Sequence, residues 1–305
     1  MGKMIYSAGQ QSHQGGRDYN EDSTGIFERE DAVLLVVADG LGGHEGGEIA
    51  SQCFVEAMGD SFKKATPAQL KKAQSFLTLS INFAHHAIHR QAVKMGLPVE
   101  SPKTTCVVCL IYKGVLHWAH SGDSRFYLIR KRQAQFITED HVSQKAGRKG
   151  NAPINRCVGG LEAPRPEVSD PRNMREGDVL FLATDGAWAC FEPNDLTEYV
   201  DPVHPSLGLN SLLQSLENRN KPPSDNLSIV VLFWGVTPLE DRTLNEFDEP
   251  DTLQLLNQSI AASKEQEAQE QAERDVKSAE RFNMKDLDST INEIESFISD
   301  LDDQF

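Results

Sequence analysis

Five short segments of this chain each place an aspartate beside a glycine or an asparagine, at residues 16–22, 37–43, 122–125, 183–186 and 224–226. Three of these aspartates adjoin apolar runs that are typical of buried strands. Asp39 follows residues 34–38, Asp185 follows residues 179–184, and Asp225 precedes residues 227–233. Carboxylates at strand ends, gathered from distant parts of a chain, are what a site for a hard cation requires.

The turn after Asp39 favours the same interpretation. Its sequence is Gly40-Leu41-Gly42-Gly43, and glycines let backbone carbonyls approach a ligand closely. An all-oxygen set of this kind suits Mg²⁺ or Mn²⁺ better than zinc, and two such ions roughly 3.5 to 4 Å apart would activate a water and clamp a phosphoryl oxygen. Arg17 is placed to bind that phosphate through two hydrogen bonds. Three acids could complete the ligand set: Glu21, Asp185 and Asp225.

The pattern along residues 1–236 predicts an α+β fold. Strands are expected at 22–28, 32–38, 105–112, 115–120, 126–129, 178–184 and 226–234, and helices at 47–64, 67–95 and 205–218. Lys113-Gly114 separates two β-rich runs, as in an antiparallel hairpin, and Thr66-Pro67 is a typical helix start. Consecutive hairpins with segregated helices favour antiparallel sheets covered by helices over a doubly wound parallel sheet.

Composition indicates the cellular location of the protein and excludes some classes of partner. No apolar run reaches the roughly 20 residues of a membrane span, and the first residues lack the basic and apolar regions of a signal peptide. Five cysteines without disulfide-type spacing indicate reduced thiols. We therefore expect a cytoplasmic protein with no membrane partner. The sequence has no stripe of lysine and arginine, so nucleic acid is not expected as a partner.

An uneven charge distribution marks a boundary near residue 236. Residues 237–305 carry 19 acids and 6 bases, a net charge of -13 out of the -16 of the whole chain. Residues 237–283 are predicted to form an acidic, polar linker or a solvated helix, since 263–281 are rich in Glu, Gln, Ala, Lys and Arg and contain few apolar positions. The nearly neutral residues 1–236 form the predicted main domain.

The last segment, residues 284–305, is predicted to form an acidic amphipathic helix. Its apolar residues are spaced 4, 3, 4, 3 and 4 apart, and seven acids and no base follow Lys285. Such a seam could dock on the body of the same protein, on another protein or on a second copy. The seam comprises Leu287, Ile291, Ile294, Ile298, Leu301 and Phe305.

Taken in order, these motifs resemble the metal-dependent serine/threonine protein phosphatases of the PPM family. The resemblance covers roughly residues 7–233, and it rests on the joint order of short motifs that are individually weak. The motifs are Arg17-Asp18-Tyr19-Asn20-Glu21-Asp22, Asp39-Gly40-Leu41-Gly42-Gly43, residues 46–51, Thr104-Thr105, Gly122-Asp123-Ser124-Arg125, Gly177-Asp178, Thr184-Asp185-Gly186 and Asp225-Asn226-Leu227-Ser228.

The resemblance implies a four-layer sandwich, two antiparallel β-sheets packed face to face and flanked by α-helices, with a binuclear Mn²⁺ or Mg²⁺ centre at one end. Its implied reaction is direct attack of water on phosphoserine or phosphothreonine of a protein substrate, without a phosphoenzyme. Such substrates are targets of serine/threonine kinases, which places the enzyme in signalling.

The same resemblance implies a role for each site residue. Asp39 bridges the two ions, Gly40 contributes its carbonyl, and Arg17 holds the phosphate. Asp123 matches an acid that, with Asp185, holds a third and weaker metal in bacterial-type members. The remaining implied ligands are Asp185 and Asp225 on one ion and Glu21 on the other, through water.

The chain departs from the family pattern in three places. Leu41 stands where many eukaryotic members have a histidine, and His44 should not inherit that role. Lys103 replaces the usual glycine before the two threonines. Between residues 141 and 177, where the family has a variable flap, the chain carries Gly147-Arg148-Lys149-Gly150 and several prolines, so substrate preference is expected to depend on this stretch.

Other interpretations carry less support. Ser61-Phe62-Lys63-Lys64 and Ser224-Asp225-Asn226 imitate two β-lactamase motifs, but the Lys-Thr-Gly element that should follow them is missing. Cys106 and Cys109 would point to opposite faces of a strand, and His85 and His89 lack the Glu of a zinc-protease helix, so we interpret both pairs as structural. A catalytically silent adaptor that binds phosphoproteins would require a lost metal ligand, and no ligand is lost.

Overall fold

The computed structural model describes residues 4–41, 45–143, 153–190, 200–217 and 225–237. All of them belong to the first of the two units into which the chain divides, Met1–Arg242. The predictions for residues 238–305, including the amphipathic segment 284–305, lie outside the described residues. So does the stretch Gly147-Arg148-Lys149-Gly150.

The described residues form five helices and thirteen strands. The helices are α1 (Glu45–Lys64), α2 (Pro67–Lys71), α3 (Ala73–Lys94), α4 (Asp185–Trp188) and α5 (Pro205–Glu217). The long strands are β1 (Tyr6–His13), β2 (Asp22–Arg29), β3 (Ala32–Leu41), β5 (Cys106–Tyr112), β6 (Val115–Ser121), β7 (Arg125–Arg130), β8 (Gln133–Ile137), β12 (Val179–Ala183) and β13 (Leu227–Trp234). The short strands are β4 (Lys103–Thr104), β9 (Val158–Gly159), β10 (Glu167–Val168) and β11 (Arg172–Asn173).

These strands form two sheets in which every described pairing is antiparallel. The smaller sheet has the order β1-β13-β12-β7-β8. The larger has the order β10-β6-β5-β3-β4-β9, with β2 beside β3 and β11 beside β6. The antiparallel prediction is therefore confirmed.

Three apolar clusters separate four layers. The central cluster lies between the two sheets and combines side chains of β3, β5 and β6 with those of β7, β12 and β13. A second cluster packs the outer face of the larger sheet against α1, α2 and α3. A third packs the outer face of the smaller sheet against α5. The helix–sheet–sheet–helix sandwich that the resemblance implied is thus confirmed.

Alternation along the strands explains why both faces of each sheet are apolar. In β3, Val33 and Leu35 face the other sheet, whereas Leu34 and Val36 face the helices. A continuous apolar run is the pattern expected of a strand that is buried on both sides. The same alternation puts Cys106 and Cys109 of β5 in different clusters, which confirms that they point to opposite faces.

Two local predictions are borne out at the residue level. Lys113 and Gly114 both have positive φ, 52° and 78°, so the turn between β5 and β6 twists as hairpin turns prefer. Thr66 caps α2: its side chain accepts a hydrogen bond from the Gln69 backbone, and the Gln69 side chain binds the Thr66 backbone in return.

Other predicted boundaries were wrong. The single helix expected over 67–95 divides at Lys72, whose ψ of 55° is not helical. Thr105 lies outside the strands because its backbone nitrogen donates to the carbonyl of Asp39, at 2.8 Å, between β4 and β5. Strands β1 and β8 were missed, since neither has an apolar run and both are edge strands of the smaller sheet. None of the described helices is long and apolar enough to span a membrane.

Candidate functional site

The acidic residues singled out in the sequence lie where strands begin or end. Asp39 is near the end of β3, and Asp185 opens α4 directly after β12. Asp123 follows β6, while Asp225 stands two residues before β13. Glu21 directly precedes β2, whose first residue, Asp22, is paired with Asp39. The antiparallel sandwich therefore brings residues separated by up to about 200 positions to one site.

Electrostatics show that the carboxylates are close to one another. Burial raises the pKa of Asp39 well above its usual value, and the charges of Asp22, Asp185, Asp123 and Asp225 raise it further. Burial followed by the charge of Asp185 raises the pKa of Asp123 to about 6. Burial, followed by the charge of Asp225, raises the pKa of Asp185. Such mutual repulsion is what a bound cation relieves.

Arg17 reaches into the same cluster. Its Nη2 donates to Oδ2 of Asp225 at 2.6 Å, and about half of the side chain, 52%, is exposed to solvent. The guanidinium is thus anchored at one end and accessible to an approaching anion. The sequence predicted this proximity to the acids but not the direct pair with a candidate metal ligand.

Two glycines allow backbone and carboxylate to approach closely. The backbone nitrogen of Gly40 donates to the carbonyl of Glu21 at 3.1 Å. A Cβ on Gly40 would lie 2.3 Å from the carbonyl oxygen of Gly47, and a Cβ on Gly47 would lie 2.6 Å from Oε1 of Glu21. Any larger residue at either position would push the end of β3, the start of α1 and the Glu21 carboxylate apart.

Asp39 is held from its backbone by two neighbouring threonines. The Oγ1 of Thr104 donates to the Asp39 carbonyl at 2.9 Å, and the Asp39 nitrogen donates to Oγ1 of Thr105 at 3.0 Å. Thr105 Oγ1 also lies 2.7 Å from Oγ of Ser124. All three hydroxyl-bearing residues are buried, so the bonds around Asp39 are shielded from water.

Asp123 is supported from a different side. Among the described residues its buried Oδ1 has no hydrogen-bond partner, while Nε1 of Trp188 donates to its backbone carbonyl at 3.0 Å. The guanidinium of Arg125 lies 3.4 Å above the Trp188 ring and binds Asp140 through two hydrogen bonds of 2.8 and 2.9 Å. A buried carboxylate oxygen without a donor is a position that a cation could fill.

Sequence reasoning missed several residues that shape this site. Asp22 is buried and accepts a hydrogen bond from Thr184 Oγ1 at 2.9 Å, and burial raises its pKa to about 7. Asn226 binds the backbone of the loop that carries Arg17 and Glu21. Asp22 and Asn226 adjoin Glu21 and Asp225 in the sequence, which is the one signal that could have found them.

The histidines of α3 are part of the packing. The backbone nitrogen of Gly159 donates to Nδ1 of His85 at 3.1 Å, and Nε2 of His89 lies 2.5 Å from the carbonyl of Gly160. Burial and the neighbouring histidines lower the pKa of His85 to about 4. These bonds tie α3 to β9, in agreement with the structural interpretation.

The residues present fit a pair of hard cations. All seven predicted site residues lie in one cluster of carboxylates with one exposed arginine at its edge. The donors are oxygen atoms, two glycines leave room for a backbone carbonyl, and Oδ1 of Asp123 has no hydrogen-bond partner among the residues that the structure describes. The seven are Arg17, Glu21, Asp39, Gly40, Asp123, Asp185 and Asp225.

Two bacterial phosphatases are similar to this chain in sequence. The curated relative stp, a serine/threonine phosphatase of Listeria welshimeri, is 32% identical over 127 residues, which cover 41% of this chain and 50% of the relative. The chain thus spans about half the length of that relative. PhpP, a protein phosphatase of Streptococcus pneumoniae, is 24% identical over 231 residues, covering 71% of this chain and 92% of PhpP.

A solved structure agrees in fold. The catalytic domain of the serine/threonine phosphatase PstP, described in complex with two manganese ions, superposes with a TM-score of 0.60 at 26% identity. The superposition covers 75% of this chain and 98% of that one. Residues 9–219, more than half of the chain, match the family described as protein phosphatase 2C. The chain therefore belongs to the protein phosphatase 2C family.

Proposed function

We propose that this chain hydrolyses phosphoserine and phosphothreonine esters on proteins, using two Mn²⁺ or Mg²⁺ ions. The observation that carries the proposal is the convergence of Asp39, Asp123, Asp185 and Asp225: burial, and then the charges of the other three, raise the pKa of Asp39 well above its usual value. Family membership and the manganese of PstP support the same reaction. The substrates would be cytoplasmic proteins phosphorylated by serine/threonine kinases.

The ligand roles follow the family resemblance. Asp39 would bridge the two ions, with the carbonyl of Gly40 beside it, and Glu21 would serve one ion through water. Asp185 and Asp225 would hold the other ion, and Asp123 with Asp185 would hold a third, weaker one. Bound ions of this kind lower the pKa of water to make a nucleophile and neutralise the phosphoryl charge.

The residues of the chain itself bind and orient the substrate. The exposed face of Arg17 would receive two oxygens of the phosphate, while its pair with Asp225 fixes the direction of the guanidinium. Thr104 and Thr105 hold the backbone of Asp39, which fixes the point from which its carboxylate projects. Such a fixed arrangement would hold the phosphate ester in one orientation for attack by water.

The main alternative is an adaptor that binds phosphoproteins without cleaving them. Such a protein would have lost at least one ligand, yet every position of the proposed ligand set carries an oxygen donor. In an adaptor that binds no metal, no cation would offset the repulsion among the clustered acids.

We further propose that residues 284–305 form a docking helix and that residues 263–281 act as its tether. The support comes from the sequence: a lone helix of this length is marginal in water, so its apolar seam needs a surface to cover it. The acidic flanks favour a basic, apolar-lined groove on a partner protein.

The direct test is hydrolysis of phosphoserine and phosphothreonine peptides with and without Mn²⁺. We expect phosphate release with 1:1 loss of phosphopeptide in Mn²⁺ or Mg²⁺ and none in excess EDTA. Binding of phosphopeptide without hydrolysis in saturating Mn²⁺ would favour the adaptor. Hydrolysis that persists in EDTA would rule out the metal-dependent reaction.

A further inference from the structure

A cavity lies beside the proposed metal centre. It has a volume of about 610 Å³ and is formed by residues 100–103 and 154–165, including β4 and β9. Three basic side chains line it, together with two acidic ones. The bases are Lys103, Arg156 and Arg165, and the acids are Glu100 and Glu162.

The three bases have no acidic partner in the part of the chain that the structure describes. No carboxylate there lies within 4.0 Å of their nitrogens, unlike Arg17, Arg125 and Arg130, each of which is paired. Arg156 instead places Nη1 3.3 Å from Nε2 of His141. Unpaired cations that share a concave surface favour an anion from outside.

The arginines can reach such a ligand. Arg156 and Arg165 are exposed, whereas Lys103 is half-buried. A Cβ on Gly160 would lie 3.2 Å from Cε of Lys103, so the stem of this lysine runs beside the backbone of Gly160, directly after β9. Arginine presents a planar fork that matches carboxylate and phosphate groups.

The cavity is joined to the metal centre through β4. Lys103 is the register partner of Leu41, and Thr104 that of Gly40. Adjacent Cα atoms are about 3.8 Å apart and antiparallel partners about 5 Å apart, so the Cα of Lys103 lies within about 9 Å of the Cα of Gly40. An extended peptide covers this distance in about three residues, at about 3.3 Å per residue.

We propose that this cavity binds an acidic side chain of the phosphoprotein substrate, about two to four residues away from the phosphorylated serine or threonine. The inference rests on the proposed phosphatase function and deepens it, because it assigns a substrate class to the same site. Glu100 and Glu162 lower the net charge of the lining from +3 to +1, which still favours an anion. A carboxylate and a second phosphate group both carry the negative charge and the oxygen acceptors that the three bases would bind.

The test compares matched phosphoserine peptides. One series carries Glu at one position two, three or four residues to either side of the phosphoserine, and the other carries Gln there. A third arm replaces the Glu by phosphotyrosine to separate carboxylate from phosphate. We expect kcat/KM to be about three- to tenfold higher for at least one Glu or phosphotyrosine peptide than for its Gln match, since exposed ion pairs are each worth only a few-fold.

Variants of the cavity arginines test whether the preference for Glu peptides arises in the cavity. In Arg156→Gln combined with Arg165→Gln we expect the Glu and Gln peptides to become equal within about twofold, while hydrolysis of a small aryl phosphate stays unchanged. Lys71→Gln in α2 combined with Lys94→Gln in α3 removes the same two charges from exposed positions elsewhere and should keep the preference. Raising the salt concentration should weaken the preference in the unaltered protein.

The outcomes separate this inference from the proposed function. Equal rates on all matched peptides, in a protein that hydrolyses them, would overturn the cavity as an anion site and leave the phosphatase standing. Retention of the preference in the double arginine variant would also overturn it. Failure to hydrolyse any phosphopeptide in Mn²⁺ would overturn the phosphatase proposal and this inference together.

Discussion

The side-chain oxygen of Asn226 accepts a hydrogen bond from the backbone nitrogen of Glu21 at 2.9 Å, although 205 positions separate the two residues. Its Nδ2 donates to the carbonyls of Gln14 and Tyr19 at 2.7 and 2.9 Å. The residue is 4% exposed. A single buried amide therefore fixes the loop that carries Arg17 and Glu21 to the strand that follows Asp225.

Replacement of Asn226 by alanine should loosen this loop. Three backbone groups would lose their partner, so we expect a loss of about 1 to 3 kcal/mol in the free energy of unfolding, measured in urea, and a lower kcat/KM on phosphopeptides. Asn82→Ala is the control, because that half-buried amide donates only one bond, to the Thr78 carbonyl within α3. Unchanged kcat/KM in a destabilised Asn226→Ala protein would show that the amide stabilises the fold without positioning Arg17 or Glu21.

Asp39→Asn should abolish most of the catalytic activity while the fold persists. The amide keeps the size of the side chain but cannot neutralise two cations, and the loss of several kcal/mol of transition-state stabilisation lowers kcat about 10³-fold. Phosphate release with saturating Mn²⁺ measures this, and thermal unfolding checks the fold. Asp60→Asn, on the exposed face of α1, should retain full activity. Comparable activity in the two variants would disprove the bridging role.

Arg17→Ala should separate substrate binding from metal binding. Loss of a hydrogen bond to a charged group costs about 1.5 to 3 kcal/mol, which predicts a kcat/KM about 10- to 100-fold lower, mainly through KM. Because Arg17 holds Asp225 in the structure, its removal should leave Mn²⁺ affinity, measured by calorimetry, equal or higher. A collapse of Mn²⁺ binding would instead make Arg17 a structural support of Asp225.

The stability of the chelated protein should fall as pH rises. Burial raises the pKa of Asp22 to about 7 and that of Asp123 to about 6, so both carboxyls bind protons more tightly in the folded than in the unfolded state. They stabilise the fold at low pH, and this contribution disappears between about pH 4 and 7. We expect Tm in EDTA to decrease from pH 5 to 8 and Mn²⁺ to restore it.

Asp22→Asn provides the matched comparison. The amide stays neutral at every pH and can still accept from Thr184, so the decrease in Tm should become smaller. An identical pH profile in EDTA for both proteins would show that Asp22 does not titrate in this range.

A double change in the acidic segment tests the docking proposal. Ile294→Asp with Ile298→Asp interrupts the apolar seam and should prevent association with a partner, while the rate on small phosphopeptides stays the same. Exchange of Ser289 and Ser296 for Asp adds the same charge outside the seam and serves as a control. A changed rate on small peptides in the seam variant would mean that the segment acts on the protein's own active site.

Fold class and site residues were predictable for different reasons. β3, β5 and β13 are buried on both faces and therefore contain long runs of apolar residues, and these runs alone predict the strands. Asp39, Asp185 and Asp225 could be singled out because Asp39 lies near the end of β3, Asp185 follows β12 and Asp225 precedes β13. The convergence of these strands could be expected from the motif order, which the family resemblance supplied.

Elements that depend on tertiary contacts escaped prediction. β1 is polar and forms because β13 offers it a complete row of backbone partners. The sequence predicts Thr105 to lie in a strand, but its hydrogen bonds to the Asp39 backbone interrupt the strand at this residue. The pair between Arg17 and Asp225 and the anchoring role of Asn226 join loops about 200 residues apart, and no local pattern encodes such distances.

The pairing of β1 with β13 has a consequence during synthesis. Tyr6 of β1 lies opposite Trp234 of β13. During translation β1 therefore cannot pair with β13 until nearly all of residues 1–236 have been synthesised. Until then Arg17 and Glu21 have neither Asp225 nor Asn226 beside them. Under the proposed function, a nascent chain that stalls before residue 225 would lack one of the metal ligands, so hydrolysis would begin only after the last strand of the smaller sheet has been made.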